Sequence, residues 1–131
     1  MKIGVIGTGY VGLVTGTCFA EMGYDVTCVD IDDKKVAQLS RGEPTIFETG
    51  LEQLLERNIK EGRLSFTTEL SEAALSCRVL FFALPTPPGG GGQADLSFVE
   101  GAARDLARIW TRGGRQDYRA RWHGRPRAGH Y

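Results

Sequence analysis

The chain has 131 residues, 41% hydrophobic and 24% charged, the make-up of one ordinary globular domain able to bury about two thirds of its unfolded surface. No apolar run approaches the ~18 residues of a membrane span, and Met1-Lys2-Ile3 leads directly into a strand pattern with no signal-peptide layout, so a cytoplasmic protein is expected. The zero net charge hides a split: eight basic against fourteen acidic residues from Met1 to Ala103, then eight arginines and no lysine against two aspartates from Arg104 to Tyr131.

Lys2-Ile3-Gly4-Val5-Ile6 is a short apolar run that reads as a strand buried on both faces. After a glycine-rich turn, Val11, Leu13, Val14, Cys18, Phe19 and Met22 recur at helical spacing, and Gly23 ends the pattern. Asp25 to Asp30 forms the next strand. Asp32 or Asp33 can cap a helix through Val36, Ala37 and Leu39 to Arg41-Gly42. An irregular stretch, Glu43 to Gly50, precedes a helix over Leu51 to Glu61 with Leu51, Leu54, Leu55 and Ile59 on one face. Leu64 to Thr67 is a third strand, Leu70 to Leu75 a short helix, and Val79 to Leu84 a fourth, wholly apolar strand. A Pro/Gly loop, Pro85 to Gly92, leads to a last helix opened by Asp95 or Ser97 and running through Phe98, Ala102 and Leu106. Strands alternating with helices predict an α/β fold of Rossmann type, a doubly wound parallel sheet that stops after about four strands. The fourth strand would then be an apolar edge, a predicted aggregation site.

Cys18, Cys28 and Cys77 are an odd, widely spaced set in apolar surroundings. They read as small buried hydrophobes in a reducing compartment, and no metal site is expected.

Gly7-Thr8-Gly9-Tyr10-Val11-Gly12 fits G-x-G-x-x-G. Alone that pattern is weak, but here it follows a strand, opens a helix, and has an acidic residue, Asp30, ending the second strand 18 positions after Gly12. Gly7 permits the tight turn, Gly9 lets the backbone approach a pyrophosphate, and Gly12 lets the helix pack close to the sheet. The helix N-terminus offers free N–H groups and about half a positive charge to phosphates. Asp30 is suited to accept the ribose hydroxyls of adenosine and to repel a 2′-phosphate, which favours NAD over NADP; its alternative role is a helix cap. Whether Lys34 or Lys35 reaches the cofactor or is simply solvated stays open on spacing alone. Pro85-Thr86-Pro87-Pro88 lies past the fourth strand, where open α/β sheets bind ligands, and either presents Thr86 to the cofactor or is only a rigid turn.

Taken together, the opening Lys2-to-Gly16 segment, Cys18-to-Gly23, Val29-to-Asp32, Phe47-to-Leu51, Gly62-Arg63-Leu64, Pro85-to-Pro88 and Ala94-to-Ser97 resemble the UDP-glucose/GDP-mannose dehydrogenase family over roughly residues 1–109. The resemblance implies an NAD-dependent oxidation of a nucleotide-sugar C6 alcohol to a carboxylate, with two NAD reduced, in an enzyme that forms homo-oligomers. It points to UDP-glucose ahead of GDP-mannose or UDP-N-acetylmannosamine. Cofactor positions carried over are Gly7, Gly9, Val11, Gly12, Asp30, Lys35 and Thr86. Thr49 stands where the family often has proline. The family's next strand, its sugar-nucleotide domain and the segment with its nucleophilic cysteine have no counterpart here. That cysteine carries a covalent thiohemiacetal and thioester, and none of the three cysteines matches its motif, so no catalytic residue is assigned.

Residues 1–109 thus read as an incomplete NAD-binding domain and residues 110–131 as an Arg/Gly-rich tail without expected order. The tail is read as the product of a frameshift near residue 110 of a GC-rich gene. A nucleic-acid-binding tail using Tyr118 and Trp122 for stacking, and a true splice or truncation variant, are the alternatives. NAD is the expected partner, with no nucleic acid and no membrane. A stand-alone NAD-binding regulatory module is the competing function.

Overall fold

A computed structural model describes residues 1–112. It divides into two compact units, Met1–Pro85 and the residues from Thr86 on. In the first unit β1 (Lys2–Ile6), α1 (Tyr10–Glu21), β2 (Asp25–Val29), α2 (Asp33–Ser40), α3 (Leu51–Lys60), β3 (Leu64–Thr67), α4 (Leu70–Ser76) and β4 (Val79–Phe82) follow in order. The strands form one parallel sheet in the order β3-β2-β1-β4. The chain therefore steps outward from β1 to β3 and returns to the other side of β1. That reversal between β1 and β4 is a topological switch point, where the carboxyl ends of a parallel sheet leave a crevice.

The two faces of the sheet are covered by different elements. Val5 pairs with Cys28, and Ile3 with Val26. A Cβ added to Gly16 of α1 would lie 2.7 Å from the Cys28 sulfur and 3.6 Å from Val26 and Val5, so α1 lies on that face. Gly4 points the other way, where a Cβ would meet Leu80, Ala73 and Cys77, so α4 covers the opposite face. The sheet is doubly wound, as the alternation of elements predicts.

The buried face of α1 differs from the expected stripe. Gly12, Leu13, Gly16, Thr17 and Ala20 are buried, whereas Val11 and Met22 are 66% and 69% exposed. Small residues at i, i+4 and i+8 let the helix axis approach the strands closely, and the apolar spacing was a poor guide because glycine carries no hydropathy signal. Cys18, expected to be buried, is exposed for the same reason, while Cys28 and Cys77 are buried. Burial pushes the Cys28 thiol up to about 12, which leaves it inert as a nucleophile at neutral pH.

At the lower end of the sheet Asn58 of α3 is fully buried among charges. Its amide donates to Glu21 Oε2 at 2.7 Å and to the Leu54 carbonyl at 2.8 Å. Its oxygen accepts from Arg63 at 2.9 Å, and Arg63 also donates to the Ala20 carbonyl at 3.0 Å. These bonds tie the end of α1 to α3 and the start of β3.

In the second unit, an isolated antiparallel bridge between Pro88 and Ala94 closes the Pro/Gly loop around a short 3-10 turn, Gly90–Gly92. The Asp95 carboxylate accepts the Ser97 N–H at 2.9 Å and opens α5 (Ser97–Arg112), which continues past residue 110. The rest of the Arg/Gly-rich tail lies outside the described residues. Among the described residues no helix is long and apolar enough to cross a membrane.

Candidate functional site

The site begins where β1 ends. Gly7 has φ of 105°, a conformation other residues rarely adopt, and a Cβ there would sit 2.4 Å from the Ala83 carbonyl oxygen. Its N–H donates to the Val29 carbonyl at 2.8 Å, while Ala83 N–H donates to the Ile6 carbonyl at 2.8 Å. The turn is thus wedged between the ends of β2 and β4, at the switch point.

Gly12 and Gly9 are glycines for different reasons. A Cβ on Gly12 would lie 1.9 Å from the Gly7 carbonyl oxygen, so the first turn of α1 can rest on the loop only without a side chain. A Cβ on Gly9 would meet none of the described residues within 4 Å. Its φ of −71° and ψ of −165° are open to any residue. Among the described residues nothing requires glycine at position 9, and the space beside its Cα is open.

Gly9 is also the N-cap of α1. Among the described residues no side chain caps the helix, and its first turn holds no acidic residue. The first intrahelical rung is Leu13 N–H to the Gly9 carbonyl at 2.9 Å. The N–H groups of Tyr10, Val11 and Gly12 precede that rung, so they and the positive helix end are available to an anion. Val11 is exposed in this first turn.

Asp30 follows β2 and is not the cap of α2; Asp32 is, accepting the N–H groups of Lys34 and Lys35. Asp30 Oδ2 accepts both the N–H of Thr8, at 3.1 Å, and its hydroxyl, at 2.5 Å. Oδ1 accepts the Asp32 N–H at 3.0 Å. Lys35 Nζ stands 3.6 Å from Oδ2, whereas Lys34 is exposed, so of the two lysines Lys35 pairs with Asp30. Partial burial pushes the Asp30 carboxyl up. The Thr8 hydroxyl, the Asp32 N–H, Lys35 and the Thr8 N–H outweigh it and hold the group below its ordinary value. The result is a fixed carboxylate at the carboxyl end of the sheet.

Two features escaped the sequence. Thr8 occupies an "x" of the motif, and its hold on Asp30, 22 residues away, has no local signature. The Tyr10 hydroxyl donates to the Glu48 carboxylate, pinning the segment before α3 to the first turn of α1. That bond, with the Glu48 charge, raises the Tyr10 phenol above its ordinary value. Thr86 is exposed and opens the second unit. Gly7, Gly9, Val11, Gly12, Asp30 and Lys35 all belong to the first.

Comparison with known proteins agrees with this geometry. Residues 1–114 match the NAD-binding domain of the UDP-glucose/GDP-mannose dehydrogenase family. A UDP-glucose 6-dehydrogenase of Rhizobium meliloti is 51% identical over 108 residues, covering 82% of this chain and 25% of the relative. Among solved structures, a GDP-mannose dehydrogenase of Pseudomonas aeruginosa superposes with a TM-score of 0.82 at 34% identity, covering 86% of this chain and 26% of that one. A UDP-glucose dehydrogenase of Pyrobaculum islandicum gives 0.79 at 42%, with 82% and 25% covered. The chain spans about a quarter of the length of these relatives. By its glycine turn, its fixed acidic residue and this match over most of its length, the chain belongs to the UDP-glucose/GDP-mannose dehydrogenase family, of which it carries the NAD-binding domain.

Proposed function

We propose that this chain is the cofactor-binding part of a UDP-glucose 6-dehydrogenase, an enzyme that oxidises UDP-glucose to UDP-glucuronate with two NAD, and that the 131 residues alone do not turn over. The observation that carries the cofactor role is Gly9, where an added Cβ would meet none of the described residues within 4 Å, at the N-terminus of α1. Gly7, Gly9, Gly12 and the first-turn backbone at Val11 would hold the pyrophosphate. Asp30, kept ionised and paired with Lys35, would take the adenosine ribose. Thr86 is assigned to the cofactor on family resemblance. NAD supplies the hydride acceptor when bound.

The choice of UDP-glucose rests on greater likeness to relatives of that name, at 51% and 42% identity, than to the GDP-mannose enzyme at 34%. The absence of turnover rests on the cysteines. Cys28 and Cys77 are buried with raised thiol pKa values, and Cys18 lies on α1, so none stands as the nucleophile a two-step oxidation needs. Mixing the chain with NAD and UDP-glucose tests this reading. NAD binding without UDP-glucose binding and without NADH formation supports it; sustained NADH formation contradicts it. Tight NAD binding by a stable monomer would instead favour a self-standing regulatory module.

The tail after residue 110, arginine-rich and lysine-free, is assigned to a frameshift. Reading the coding DNA in its other frames should reveal a further strand followed by a Val-Pro-Val-Gly-like turn. If neither frame contains them, the assignment is wrong.

A further inference from the structure

Thr8 stands in the phosphate turn yet is only 1% exposed, and its side chain points away from the turn's open side toward Asp30. Four groups from three segments hold that carboxylate: the Thr8 N–H and hydroxyl and Lys35 on Oδ2, and the Asp32 N–H on Oδ1. They are not equivalent. The two N–H groups are fixed by the backbone and would survive any side-chain change. Lys35 reaches Oδ2 at 3.6 Å on a flexible stem that is 32% exposed, so water competes with it. The Thr8 hydroxyl is the one buried side-chain donor, and its β-branched carbon restricts it to few rotamers.

From this we infer that Thr8 is a positioning residue for cofactor choice: its hydroxyl locks the Asp30 carboxylate in the orientation that accepts ribose hydroxyls and refuses a 2′-phosphate. The inference rests on the reading of this turn as an NAD site. A carboxylate selects NAD only while it cannot turn aside, because a rotated one loses its hydrogen bonds to the ribose and also withdraws its charge from an incoming phosphate. Without the hydroxyl, Asp30 keeps, among the described residues, two backbone donors and a partly exposed lysine, and it gains freedom to rotate. The same change that weakens NAD then ceases to oppose NADP, with Lys35 at hand as a cation for the extra phosphate.

The test is calorimetric titration of the full chain with NAD and with NADP, for the native protein, Thr8→Val and Thr8→Ser, with a thermal melt of each. Thr8→Val is expected to weaken NAD about tenfold and leave NADP no weaker, so that the preference for NAD falls about tenfold. Thr8→Ser restores it. In an Asp30→Asn background, Thr8→Val should not change the ratio further. Thr8→Ala carries the same expectation if the valine variant does not fold. Equal weakening of both cofactors, or an unchanged ratio, overturns the role of Thr8 while leaving the NAD site standing. Failure of the native chain to bind NAD overturns both.

Discussion

Gly12 rests on Gly7: a Cβ on the first would lie 1.9 Å from the carbonyl oxygen of the second. The first turn of α1 is therefore seated by direct backbone contact on the turn that leaves β1. Gly12→Ala must push α1 away from the sheet or distort Gly7, which is itself confined by Ala83. We expect a loss of about 3 kcal/mol or more, as for overpacking against rigid backbone, measured by urea denaturation. An unchanged midpoint would show that the helix is seated differently.

Asn58 predicts a second, independent loss. Its amide serves Glu21, Leu54 and Arg63 at once inside the core. Asn58→Leu keeps the branched shape but adds bulk to a filled site and strips the Glu21 carboxylate and the Arg63 guanidinium of a partner, at a cost of about 2–4 kcal/mol. The melting temperature should fall while NAD affinity at low temperature stays near that of the native chain, since this network lies at the end of the sheet opposite the turn.

Acid should unfold the protein in part through Asp30. Its folded-state pKa lies below the ordinary 3.8, so the unfolded chain binds the proton more readily. The stability this contributes is present in full above the ordinary value and is lost as pH falls through the folded value. Glu21, lowered chiefly by the Asn58 amide, acts in the same direction. Melts taken from neutral pH down to about pH 3 should show Asp30→Asn less acid-sensitive than the native chain. A steeper decline in the variant would contradict the assignment.

Among the described residues β4 pairs only with β1, and Val79, Phe81 and Phe82 are 36–41% exposed. Phe81 stacks on Phe19 at 5.2 Å, whereas among the described residues Phe82 has no such ring partner. An apolar parallel edge of this kind recruits further strands. The chain should self-associate with rising concentration in sedimentation velocity, and Phe82→Lys should suppress it. A native chain that stays monomeric throughout would remove the argument.

The order of elements was legible because parallel strands buried between two helical layers appear as unbroken apolar runs such as Ile3 to Ile6. The glycine turn was legible because each glycine answers to a steric demand at fixed spacing. The packing of α1 was not. Gly12, Gly16 and Ala20 carry the contact, and an apolar periodicity passes over residues that act by having no bulk. Nor was the fixing of Asp30: Lys35 reaches it from the first turn of α2, but Thr8, 22 residues away, does so only because the ends of β1 and β2 lie side by side. The extent of β4 was overestimated for a related reason. Ala83 and Leu84 are apolar, yet the strand ends at Phe82 as the chain turns beside Gly7.

Calorimetric titration of the native chain beside Gly9→Ala tests whether the turn through Gly9 receives the pyrophosphate of NAD. The added methyl meets no atom of the described residues within 4 Å, so the variant should fold and melt like the native chain. The account predicts saturable NAD binding by the native chain and a loss of at least about tenfold in Gly9→Ala. Equal affinity in the two proteins, or no binding by the native chain, would contradict it.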